Sequence, residues 1–143
     1  MQQAYLDQKD RTILSILKKD SRTPIRELSK KTGIRPSTVH QRIQRLISSG
    51  VIENFTVKLN NSAVNEDFIV FMLVSTEKDL ENAFFDDSHI KEVFGITGEY
   101  DLLLKLKFKD IGEFNNYLIA LRKNKNIRKT VTMVATVELK EEI

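Results

Sequence analysis

The segment TGIRPSTVHQRIQRL, residues 32–46, constrains this chain more than any other stretch. Gly33 can end a helix, because glycine enters the left-handed region without a Cβ clash. Pro36 can begin the next one, because a first helical position has no use for its N–H. Beyond it Val39, Ile43, Leu46 and Ile47 fall at i, i+4, i+7 and i+8, one apolar stripe. Two helices joined by a short turn with glycine form a helix-turn-helix. The face opposite the stripe carries Ser37, Thr38, His40, Gln41, Gln44 and Arg45, where a merely solvated helix would more often show Glu and Lys. Gln and Arg can read base edges bidentately, and Ser or Thr can hold a phosphate near a helix N-terminus. Arg35, Pro36 and Ser37 stand at that start. DNA-contacting candidates are therefore Arg35, Pro36, Ser37, Thr38, His40, Gln41, Gln44 and Arg45. The bland alternative for Gln41, Arg45 and His40 is simple solvent exposure.

The preceding residues supply the support. In LDQKDRTILSILKK, Ile13, Leu14 and Leu17 follow helical spacing, with Leu6 and Ile16 beside them. Asp7 suits an N-cap, and Asp10 suits the positive end of the helix dipole. Thr23 is expected to cap a second helix with Pro24 at its first position, burying Ile25 and Leu28. Ser29, four residues before Gly33, falls where the helices cross and a small side chain is needed. Gly50 ends the third helix. In VIENFTVKL the alternation of Phe55, Val57 and Leu59 predicts a short wing strand. Residues 1–60 thus read as a winged helix-turn-helix domain. They hold 12 Lys/Arg against 5 Asp/Glu, a net +7. The remaining residues hold 11 against 15, a net −4. A basic half suits a polyanion, since neutralising phosphates releases counterions.

The polar, aperiodic stretch 61–67 reads as a linker. Residues 68–143 read as strand, helix, strand, strand, helix, strand. FIVFMLVST is apolar on both faces, so it is expected to be a central, doubly covered strand. KDLENAFFDD is a weak short helix. IKEVFGIT and DLLLKLKFK are strands joined by the turn-like Gly98 and Glu99. Asp110 and Glu113 cap a helix whose stripe is Ile111, Phe114, Leu118 and Leu121. RKTVTMVATVEL closes the sheet, with Val131, Met133, Ala135, Val137 and Leu139 on one face and Thr130, Thr132, Val134 and Thr136 on the other. This is the ferredoxin-like βαββαβ order, so the whole chain is α+β. Two helices cover one face of such a sheet. A second copy packing sheet on sheet is the simplest cover for the other.

Other classes are disfavoured. Cysteine is absent, so there is no disulfide framework, thiolate metal site or cysteine nucleophile. The two histidines, His40 and His89, lack zinc-ligand spacing, and no metal or other cofactor is expected. No Ser/His/Asp constellation suggests catalysis. The longest apolar run, 68–74, is too short to span a bilayer. The opening MQQAYLDQKD lacks the basic and apolar regions of a secretory signal. A cytoplasmic location is expected.

The motifs LDQKDRTILSIL, RELSKKTGIRPSTVHQRIQRLISSGVI and GEYD (98–101), in that order, resemble the Lrp/AsnC, or feast/famine, transcription regulators over nearly the whole chain. The resemblance implies a DNA-binding domain followed by a ferredoxin-like domain for ligand sensing and assembly. It also implies homodimers that pair their sheets, often gathered into tetramers or octamers, with an amino-acid effector bound near the GEYD turn in many members. On that reading the effector-binding residues are Gly98, Tyr100, Asp101, Thr130 and Thr132: Asp101 meets an α-amino group, backbone N–H groups near Gly98 hold the carboxylate, and Thr130 and Thr132 offer hydroxyls. A purely structural hairpin is the alternative for GEYD. An effector-independent regulator, or an architectural protein that coats DNA, is the alternative for the whole. The sequence departs from the family at Arg35, where serine is usual and would cap the helix, and at Ser29, where alanine is common.

Overall fold

The computed structural model describes residues 5–142. The chain divides into two compact units, Met1–Val57 and Lys58–Ile143. The first contains α1 (Gln8–Lys19), α2 (Ile25–Thr32) and α3 (Pro36–Ser48). Asp7 caps α1 reciprocally: its carboxylate accepts from the Asp10 amide, and the Asp10 carboxylate accepts from the Asp7 amide. Gly33 closes α2 at φ +69°, the left-handed conformation for which glycine was expected. The Ser29 hydroxyl donates to the Ile34 carbonyl, so this serine ties the turn as well as leaving space at the crossing. Ile13, Leu17, Leu28 and Val39 form the core, with Ile16, Ile25, Ile34, Ile43 and Ile52 packed around them.

Two local expectations are corrected. Thr23 does not cap α2. Its hydroxyl and amide both donate to the Asp20 carbonyl, and Pro24 takes the N-cap position. The wing strand does not form either. Residues 53–60 have no regular structure and no ladder partner among the described residues. Phe55, Val57 and Leu59 stay exposed. Alternation specifies two faces, but a strand exists only where another backbone takes up its hydrogen bonds.

The second unit begins before the expected linker. The Lys58 ammonium donates to the Glu141 carbonyl, and the Asn61 side chain bonds Glu138, Glu141 and Lys107. One 3₁₀ turn, Ser62–Val64, lies within the stretch 61–67. Then follow β1 (Phe68–Thr76), α4 (Asn82–Phe85), β2 (Ile90–Gly95), β3 (Leu102–Phe108), α5 (Ile111–Leu121) and β4 (Ile127–Val134). The sheet order is β2-β3-β1-β4 with every neighbour antiparallel, the ferredoxin-like arrangement. β4 stops short of the predicted residue 139. The Ala135 amide donates to the Ile69 carbonyl at the start of β1, and little partner backbone remains beyond it.

Alternation sorts this sheet into two faces. Val70, Met72 and Val74 of β1 and Leu104, Leu106 and Phe108 of β3 point toward Phe114 and Leu121 of α5 and are buried there. Phe71, Phe94, Val131 and Met133 lie on the other face and are exposed. Lys105 and Lys107 share that open face, each 2.7 Å from the Glu141 carboxylate. The two ammonium groups, Lys105 foremost, hold the Glu141 carboxyl down at about 2. Leu104 is fully buried at the centre of this core. Leu104→Ala should therefore cost about 2–5 kcal/mol by transfer and cavity terms, read as a lower urea midpoint for the second unit's transition.

Candidate nucleic-acid interface and effector locus

α3 is anchored by Val39 and Leu46, both essentially inaccessible to solvent. Its opposite side leaves Arg35, Pro36, Ser37, His40, Gln41, Gln44 and Arg45 exposed, with Thr38 half-buried at the edge. The helix starts without a side-chain cap bond from Arg35, as the loss of a capping hydroxyl there predicts. Pro36 sits at its first turn. The predicted polar residues are thus brought onto one helical surface, with an uncapped, partially positive N-terminus at one end.

Arg45 needs a different description. Its guanidinium donates to Asp10 Oδ2 at 2.5 Å, although its side chain remains more than half exposed. Arg42, which the sequence reading passed over, donates to Asp10 Oδ1 at 2.8 Å and to Asp7 Oδ2 at 2.7 Å. Asp10 itself is inaccessible to solvent. The Asp10 amide and the Arg42 guanidinium together hold the Asp7 carboxyl down at about 2, and Asp7 and Asp10 in turn raise Arg42 above its ordinary value. A signal for this cluster was present: Asp7 with Asp10, and Arg42 with Arg45, are each i, i+3 pairs that share a helix face.

The GEYD turn crosses the end of β1. Gly98 has φ +118°, which a side chain at Cβ would strain. The Asp101 amide donates to the Val74 carbonyl. The Asp101 carboxylate accepts from the Thr76 amide at 2.7 Å and from the Thr76 hydroxyl at 3.2 Å, both through Oδ2. The Thr76 amide is the chief reason its carboxyl lies below the usual range. Lys129 of β4 pairs with Glu99 and lies 5.0 Å over the Tyr100 ring. Arg128 donates to the buried Ser75 hydroxyl. The turn and β4 therefore meet through Lys129. Thr130 and Thr132 pair with Val74 and Met72 and are half-buried on the helix-covered side. The reason is the strand's period of two, which sends Lys129 and its neighbour Thr130 to opposite faces.

A helix-turn-helix with a polar, outward recognition face, followed by a ferredoxin-like unit, places the chain among DNA-binding transcriptional regulators rather than enzymes. Residues 6–53 match the winged helix-turn-helix DNA-binding family, and residues 69–143 match the Lrp/AsnC ligand binding domain. The chain belongs to the Lrp/AsnC family. It is 36% identical over 133 residues to the HTH-type transcriptional regulator FL11 of Pyrococcus furiosus, an alignment covering 90% of this chain and 88% of that one. The AsnC family transcriptional regulator from Agrobacterium tumefaciens superposes with a TM-score of 0.88 at 25% identity, covering 96% of this chain and 94% of its own. The regulator NMB0573 of Neisseria meningitidis, solved as an L-Met complex, has the same fold at a TM-score of 0.87, 24% identity and the same coverage.

The Asp101 bonds give the turn a checkable structural role. In Asp101→Ala the Thr76 amide should lose its hydrogen-exchange protection, while amides in the centre of β3 keep theirs.

Proposed function

We propose that this protein is a sequence-specific regulator that reads double-stranded DNA with the exposed face of α3 and responds to a small amino acid. The observation that carries the DNA reading is the division of α3. Val39 and Leu46 are sealed in the core while His40, Gln41 and Gln44 point outward. Gln41 and Gln44 are the side chains best suited to base edges, and Arg35, Ser37 and Thr38 to phosphates beside the helix start. Such binding acts wherever the DNA is, which agrees with a cytoplasmic protein.

A homodimer supports the same reading. Phe71, Phe94, Val131 and Met133 expose apolar surface on the open sheet face, and a second copy would bury it. Two-fold symmetry then calls for half-sites about one helical turn, or a multiple of it, apart. Further assembly into tetramers or octamers rests on the family resemblance.

The effector reading centres on Asp101, whose Oδ2 is engaged by Thr76 and whose side chain is exposed enough to meet an ammonium group. Arg128, with its side chain more than half exposed and close enough to help lower the Asp101 carboxyl, is a cation suited to the effector's carboxylate. That the neisserial regulator was solved with L-Met supports an amino acid as the class of ligand. Thr130 and Thr132, turned toward the helix-covered side, act here as strand residues. The competing reading, an effector-independent regulator, is favoured by the internal pairing of Glu99 with Lys129 and of Asp101 with Thr76.

Gln41→Ala should weaken binding to a duplex selected from random DNA by about 1–3 kcal/mol and relax preference at one position of each half-site. Unchanged affinity and preference would remove α3 from the groove, and no selectable sequence at all would favour the architectural reading. Calorimetry against the twenty amino acids at millimolar concentration tests the effector. Heat from one of them, together with a shift in DNA affinity, is expected; no heat from any leaves the turn structural.

A further inference from the structure

The buried carboxylate of Asp10 holds two arginines of α3 that differ in how firmly they are bound. Arg42 is mostly enclosed and has two carboxylate partners, Asp7 and Asp10. Arg45 is more than half exposed and has one. If Arg45 swings away, Asp10 is not stranded. Its Oδ1 keeps Arg42 at 2.8 Å, and its Oδ2 keeps the Asp7 amide at 3.1 Å. A buried carboxylate left with no cation would be strongly penalised, so Arg42 is what makes that departure affordable. Arg45 also stands one turn beyond Gln41, on the flank between the outward face of α3 and the side against α1.

We propose that Asp7, Asp10, Arg42 and Arg45 form an exchangeable clamp in which Arg45 leaves Asp10 for a DNA phosphate while Arg42 stays to neutralise it. Arg42 is then a positioning residue that never touches DNA. It fixes α3 on α1 and releases Arg45 for use. The inference rests on the reading of α3 as the DNA-facing helix. Phosphate is the fitting ligand because Arg45 holds Asp10 through a single hydrogen bond to Oδ2, which a guanidinium can exchange for a bond to another oxyanion.

The test is the salt dependence of binding by the full chain to the duplex selected with the wild type. Each phosphate contact contributes about 0.9 to the slope of log affinity against log salt. Arg45→Ala should lower the slope by about that amount for each bound protomer. Arg42→Met should lower it equally, because Arg45 is now retained as the sole cation on Asp10. Adding Asp10→Asn to Arg42→Met should restore the wild-type slope by freeing Arg45. A residue that itself touched phosphate would not be rescued in this way, and a merely structural residue would not move the slope. Should Arg42→Met fail to fold, a cycle decides: Arg45→Ala should cost more affinity in an Asp10→Asn background than in the wild type. An unchanged slope in Arg45→Ala overturns the proposal, as does a wild-type slope in folded Arg42→Met, failure of the Asp10→Asn rescue, or an additive cycle. Gln41→Ala in the same series separates the two readings. If it weakens binding while the arginine slopes stay fixed, α3 reads DNA and the clamp does not exchange. If it has no effect, the helix assignment itself has failed.

Discussion

β1 is apolar on both sides, and that single fact organises the second unit. A strand whose successive residues are all hydrophobic has no face to give to water. Val70, Met72 and Val74 on one side are closed by α5 and by Leu104, Leu106 and Phe108 of β3. On the other side Phe71 shares an open surface with Phe94, Val131 and Met133. The helices sit on one face because the antiparallel βαββαβ path returns both of them there. The face left over is therefore the one that keeps exposed apolar side chains.

The open face is not uniformly apolar, and the exceptions are neutralised within the unit. Lys105 and Lys107 meet Glu141, Lys105 also meets Glu92, and Asn61 joins the same cluster. Paired charges of this kind discourage indiscriminate face pairing, since a wrong partner must either accommodate the pairs intact or separate them. A similar economy governs the first unit, where Asp10 is buried only because two arginines and a backbone amide meet its carboxylate.

Much of the fold was legible from periodicity and punctuation. Gly33 and Pro36 bracket the turn because left-handed backbone and a missing N–H have few other uses. The stripe of Val39, Ile43 and Leu46 fixes which side of α3 is buried, and hence which side can face DNA. The two strand failures share one cause. Phe55, Val57 and Leu59 alternate as a strand does, and the predicted β4 continued to Leu139, yet among the described residues neither 53–60 nor the stretch beyond Ala135 joins a ladder. Thr23 carries a capping hydroxyl, but α2 begins one residue later than expected, with Pro24 at the N-cap, which leaves Thr23 outside the capping position. Local pattern states what a segment is able to form; the availability of a partner decides whether it does.

Side-chain roles at the site divide along the same line. Sequence alone determined that α3 is amphipathic, that its outward face holds Ser37, His40, Gln41 and Gln44, and that a turn near Gly98 joins two strands, because these follow from spacing within one element. Only the tertiary structure decided that Arg45 rests on Asp10, that Arg42 joins them, that Asp101 is bonded to Thr76, and that Lys129 rather than Thr130 meets the turn. Each of those contacts joins residues far apart in the chain. Whether two such charges meet depends on how helices cross and how strands register, which no local periodicity encodes.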